Sequence, residues 1–154
     1  MLVDMNLRNF LCVVAFACAL PACAQDKGYW LAASNTAASI TGDIAISDAK
    51  LSINFLNYPL AHIRELESAE VAAVFDADVN TAGKGQLYRL SIPAAQRFLH
   101  KNTLCGTERT QWMATWLSGK TLSVAFFSGD NTPVFTFESV SNSMYLCGTY
   151  TYVR

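Results

Sequence analysis

Apolar and polar residues alternate along most of this chain with a period of two, broken at short intervals by turn residues, and that restricts it to a β-rich fold. Ile40, Ile44 and Ile46 fall on one face with Gly42, against Thr41, Asp43 and Ser47. After Ser47-Asp48-Ala49-Lys50 the pattern resumes as Leu51, Ile53 and Phe55 against Ser52 and Asn54, which predicts a hairpin with one buried face. Asn57-Tyr58-Pro59 ends it, because proline cannot donate to a ladder. Residues 71–79 alternate again, with Val71, Ala73, Phe75, Ala77 and Val79 on one side. A glycine-containing connection over 80–85 then leads to a returning strand carrying Tyr88, Leu90 and Ile92.

Two stretches depart from this rule. Leu60, Ile63 and Leu66 recur at helical spacing, but 60–70 is short, and we read it as strand or extended chain with helix left open. Residues 93–101 read as the one short helix, with Pro93 in its first turn and Ala94, Ala95, Phe98 and Leu99 as its apolar stripe. The remainder predicts a C-terminal four-strand meander over 111–117, 121–127, 134–140 and 144–153, separated by turn-rich segments. The expected fold is all-β: a mainly antiparallel barrel or sandwich of about eight short strands with one short helix.

Ahead of this domain lies a different kind of sequence. Arg8 precedes an apolar run over 10–20, then Pro21 and the small-residue site Ala22-Cys23-Ala24. That order reads as a secretory signal peptide over 1–24, of bacterial style, leaving a single exported domain over 25–154. The apolar run falls well short of the roughly 20 residues a membrane span requires. Met5 serves as an alternative start that drops Asp4, an acid ill suited to such a leader. Cys23 admits a second reading, as the lipidated first residue of an envelope-anchored protein, although Pro21 fits ordinary cleavage better. The expected location is therefore periplasmic or extracellular, with anchoring through Cys23 as the alternative.

Of the five cysteines, Cys12 and Cys18 lie within the leader and Cys23 at its end, so only Cys105 and Cys147 belong to the domain. Two cysteines in an exported chain predict one disulfide. It would close a loop of about 43 residues, worth roughly 4 kcal/mol in the chain-entropy model.

The formal net charge is -1, and removing Arg8 together with Asp4 leaves it there. No run of like charge is long enough to form the basic footprint of a nucleic-acid or anionic-lipid binder. His62 and His100 have no second ligand at metal spacing, so neither metal nor cofactor is expected. His100 lies five residues before Cys105 but reads as a surface residue beside a disulfide, not as the base of a thiol nucleophile. Asp76 and Asp78 share a strand face and could act as an acid–base pair. Matching the buried faces instead sets Asp76 opposite Arg89 as an exposed ion pair. Trp112 and Trp116 share a face with Ala114 and form either core or an exposed binding platform. No nucleophile elbow, Ser-x-x-Lys motif or phosphate loop occurs.

These features lead to an expectation of a non-catalytic exported protein that binds another protein, as an inhibitor or immunity factor would. A small-ligand or glycan carrier using a barrel interior or the Trp112–Trp116 face is the alternative. A hydrolase using Asp76 and Asp78 comes third.

Overall fold

A computed structural model of the protein describes residues 26–154. The expected signal peptide, its cleavage site and Cys23 lie outside the described residues.

Nine strands form one antiparallel sheet: β1 (Gly28–Ala32), β2 (Ile44–Ile46), β3 (Lys50–Ile53), β4 (Leu56–Pro59), β5 (Ala61–Leu66), β6 (Gly85–Ile92), β7 (Thr110–Ser118), β8 (Thr121–Ser128) and β9 (Leu146–Val153). Their spatial order is β4-β3-β2-β1-β9-β8-β7-β6-β5. The two edge strands, β4 and β5, are consecutive in the chain with Leu60 alone between them. No strand pairing joins them, so the sheet stays open and folds over on itself as a sandwich. Among the described residues three short helices accompany the sheet: α1 (Asn35–Ile40), α2 (Ser68–Phe75) and α3 (Phe137–Ser141).

Alternation along the long strands builds two cores. Trp30, Ile44, Leu51 and Ile53 from the β1–β4 half pack against Tyr88, Leu90, Met113, Val124, Phe126 and Tyr152 from β6–β9. The opposite face of β6–β8 presents Leu87, Trp112, Ala114, Ala125 and Phe127 to α2 and α3, which contribute Val71, Val74 and Val140. Strand β8 is therefore apolar on both faces, as a strand between two layers must be. Each large side chain removed from water here is worth about 1.5–3 kcal/mol. The disulfide forms between Cys105 and Cys147, whose Cα atoms are 4.9 Å apart, and ties the segment before β7 to the start of β9.

Several predicted elements are placed differently. Residues 71–79 are not a strand. Val71 and Val74 are also i, i+3 partners, and the Glu70 carboxylate accepts the Glu67 backbone N–H at 2.8 Å, capping α2 instead. The predicted helix over 93–101 reduces to a 3-10 turn, Leu99–Lys101. His100 and Lys101 both take positive φ there, and Phe98 donates its N–H to the Asn102 carbonyl while its ring enters the first core. Burial of Phe98 outweighs helix propensity. Residues 134–140 form no strand of the meander, which keeps β7, β8 and β9, and the segment turns into α3 with Thr136 as its cap.

The first hairpin also shifts. Ile40 ends α1, whose N-cap is Ser34, and the ladder begins at Ile44. Ile53 pairs directly with Leu56, so Asn54 and Phe55 become a two-residue turn, both at positive φ. Phe55 is thereby fully exposed instead of buried, and 57–59 continues the sheet as β4. Residues 61–66 are strand, in keeping with the extended reading of that stretch.

Gly85 has a packing reason. A Cβ there would lie 2.7 Å from the Thr115 carbonyl oxygen and 2.9 Å from Val71 Cγ2, so only glycine lets α2 settle on the start of β6.

Candidate functional site

The residues singled out from sequence do not converge. His62 bonds Gln86 Oε1 through Nε2 at 2.6 Å and sets its ring edge against Tyr88. His100 contacts the Ser39 carbonyl through Nδ1 at 3.1 Å. Cys105, bound in the disulfide, presents no thiol for it to activate. Asp76 terminates α2 in the left-handed conformation, and Asp78 accepts the Asn80 N–H at 2.9 Å within its own turn. With α2 in place of a strand, Asp76 cannot lie opposite Arg89, whose register partners are Ala61 and Trp112. Among the described residues no group of three or more His, Cys, Asp or Glu could hold a metal ion.

Trp112 and Trp116 share a face with Ala114, and that face is covered. Trp116 donates to the Ala82 carbonyl at 2.7 Å and stacks on Phe75. Trp112 is buried beneath the β8–β9 connection and donates to the Gly129 carbonyl at 3.0 Å. The pair forms no exposed platform; Trp112 instead acts as a post for the loop above it.

That loop forms the candidate site. Between β8 and β9 the chain encloses a groove of about 630 Å³, floored by Phe127 and Val140 and walled by 128–134 and 142–145. Its rim is open to solvent and sets apolar side chains among polar ones. Val134 is 64% exposed and Met144 84% exposed, with Tyr145 also exposed.

The groove is held in shape from behind. Arg89 lies 4.4 Å over the Trp112 ring, bonds Gln111 Oε1 and donates to the Asp130 carbonyl. Gln111 Nε2 in turn donates to Asp130 Oδ1 at 2.9 Å. On the far wall, Ser128 N–H bonds the Tyr145 carbonyl at 2.9 Å, and Ser143 Oγ accepts the N–H groups of Tyr145 and Leu146. Gly129 sits at φ 89° with Tyr145 directly above it; a Cβ there would approach the Tyr145 ring to 3.0 Å. The disulfide fixes Cys147, two residues beyond Tyr145. A preorganised surface of this kind loses little entropy on binding.

The polar part of the groove consists of two carboxylates, Asp130 and Glu138, with hydroxyls and amides. Its lining includes Ser128, Ser139 and Ser143 but no histidine, lysine or cysteine to activate a hydroxyl. The sequence contained a sign of it that alternation obscured: the turn-rich stretch 128–133 is followed by apolar residues that no single strand face could bury.

One buried polar cluster was also invisible in the sequence. Asp26 Oδ2 accepts the hydroxyls of Tyr88 and Thr115, each at 2.7 Å, and the Asp26 carbonyl accepts Trp30 Nε1. It anchors the chain ahead of β1 onto β6 and β7. Its Oδ1 has no hydrogen-bond partner among the described residues.

Together these features describe an antiparallel β-sandwich with a hydrogen-bonded groove between β8 and β9, edged by Val134, Met144 and Tyr145. The sequence matches no family model, and it has no significant match to a curated protein or to a solved structure.

Proposed function

We propose that this is an exported, non-catalytic protein that binds another polypeptide in the groove between β8 and β9. The observation that carries the reading is the preformed groove, whose rim leaves Val134 and Met144 in water with no packing role to explain them. Export is supported by the leader-like sequence over 1–24 and by the Cys105–Cys147 bridge, which an oxidising compartment maintains. An inhibitor or immunity factor is the kind of protein such a stapled scaffold suits.

Affinity capture from envelope extract tests this, run in parallel with a Val134→Asp, Met144→Glu double variant. Both side chains are exposed, so the variant should keep its melting temperature. A partner retained by the wild type and lost by the variant is the expected result. Partners retained equally by both would remove the groove from the proposal.

A second reading has one observation in its favour: a volume of about 630 Å³ also falls within the range of small-molecule sites. An apolar ligand released on denaturation of protein purified from its native source would favour it.

A further inference from the structure

We infer that the segment received by the groove is a short linear stretch carrying a large apolar side chain next to a lysine or arginine. The inference rests on the reading of the groove as a polypeptide-binding site and adds the chemistry of what enters it.

Charge and surface type both point this way. Only two lining residues are charged, Asp130 and Glu138, and both are acidic. Glu138 is exposed in the first turn of α3, and Asp130 is exposed in the wall formed by 128–134, so an occupant of the groove meets two carboxylates. The cations nearby are already engaged. Arg89 lies beneath the wall, stacked on Trp112 and bonded to Gln111 and the Asp130 carbonyl. Arg64 lies near the Phe135 ring but is bidentate to Glu70, at 2.9 and 2.8 Å. Gln111 satisfies only Oδ1 of Asp130 and brings no positive charge.

The apolar part of the match comes from the floor and rim. Phe127, Val140 and Val134 would meet a large aliphatic or aromatic side chain entering from above, with Met144 adapting to its shape. A cation flanking that anchor would meet a carboxylate, whereas an acidic flank would face like charge on both sides. The whole groove lies within one connection of the chain, so it accommodates an anchor and its immediate neighbours and not an extended surface.

The probe is a displayed library of random linear peptides, panned on the purified full-length protein and read by sequencing and by titration of the enriched peptides. We expect sequences with a large apolar residue beside Lys or Arg. Their binding should fall about tenfold in an Asp130→Asn, Glu138→Gln double variant and weaken as salt rises. Both substitutions keep the side-chain shape, so circular dichroism should be unchanged. If the enriched peptides lose binding in the Val134→Asp, Met144→Glu variant but carry no cation, or ignore the carboxylate variant, the inference falls and the groove reading stands. If no peptide is enriched, or binding survives the Val134 and Met144 changes, both fall together.

Discussion

The indole N–H of Trp112, on β7, donates to the carbonyl of Gly129 at 3.0 Å, and through this bond a buried core residue sets the position of the loop that walls the groove. Trp112→Phe keeps an aromatic ring in the second core and removes the donor. The Gly129 carbonyl then lacks a protein partner, and Arg89 stacks over a ring of weaker quadrupole. We expect a loss of about 1 kcal/mol in stability. Changes in backbone amide shifts should be confined to 128–134 and the strand residues beneath. Shifts spread over the whole sandwich would mean that Trp112 acts as core alone.

Gly85 makes a sharper demand on packing. The atoms a Cβ would strike are a backbone carbonyl, that of Thr115, and a methyl of Val71 on a capped helix, neither of which can swing aside. Gly85→Ala should therefore cost on the order of 2 kcal/mol, by forcing α2 off the sheet. Denaturant titration measures it. A stability equal to or above wild type would show that α2 does not sit against β6 as described.

How much of this molecule can be read from sequence depends on which layer a segment joins. Strands β6 to β9 alternate in and out despite irregularities in each ladder, at 89–92, 110–112 and 126–127, and Tyr88, Leu90 and Ile92 point inward as their alternation requires. The disulfide is equally legible, since removing the leader leaves two cysteines. Residues 71–75 are different, because Val71 and Phe75 fit one strand face and, with Val74, a helical stripe as well. The decision lies in the Glu67–Glu70 cap and in the space that Gly85 leaves. The 93–101 segment has a convincing helical stripe, yet the core takes Phe98 from an irregular chain. The groove itself arises from one loop packed on Trp112 from another strand, a long-range contact that no local pattern encodes.

The Cys105–Cys147 bridge should contribute to stability and to the groove. Replacing both residues by serine releases a loop of about 43 residues in the unfolded chain, worth roughly 4 kcal/mol in the chain-entropy model. It also frees the start of β9 beside Tyr145. A marked drop in melting temperature is expected, and reductant should reproduce it in the wild type. Peptide mapping of non-reduced protein should give Cys105 and Cys147 in one linked species; two free thiols there would overturn the pairing.

Alkaline pH tests the packing of the first core. Burial pushes the Tyr150 phenol up from 10 to about 12. Burial raises Tyr152 further still, against a smaller opposing effect from its 2.7 Å hydrogen bond with the Thr41 hydroxyl. In the unfolded chain both phenols lose their protons near pH 10, while the folded protein retains them. Above pH 10 the native state therefore binds more protons than the unfolded state, and stability falls as pH rises, by up to about 1.4 kcal/mol per phenol per pH unit. Below pH 10 both states are protonated at these positions and the phenols add no slope. Phenolate absorbance and near-ultraviolet circular dichroism, followed together up to about pH 12, should show part of the tyrosine absorbance rising only as tertiary structure is lost. If the absorbance change is complete near pH 10 with the dichroism intact, Tyr150 and Tyr152 are in contact with water and the sandwich is not closed over them as described.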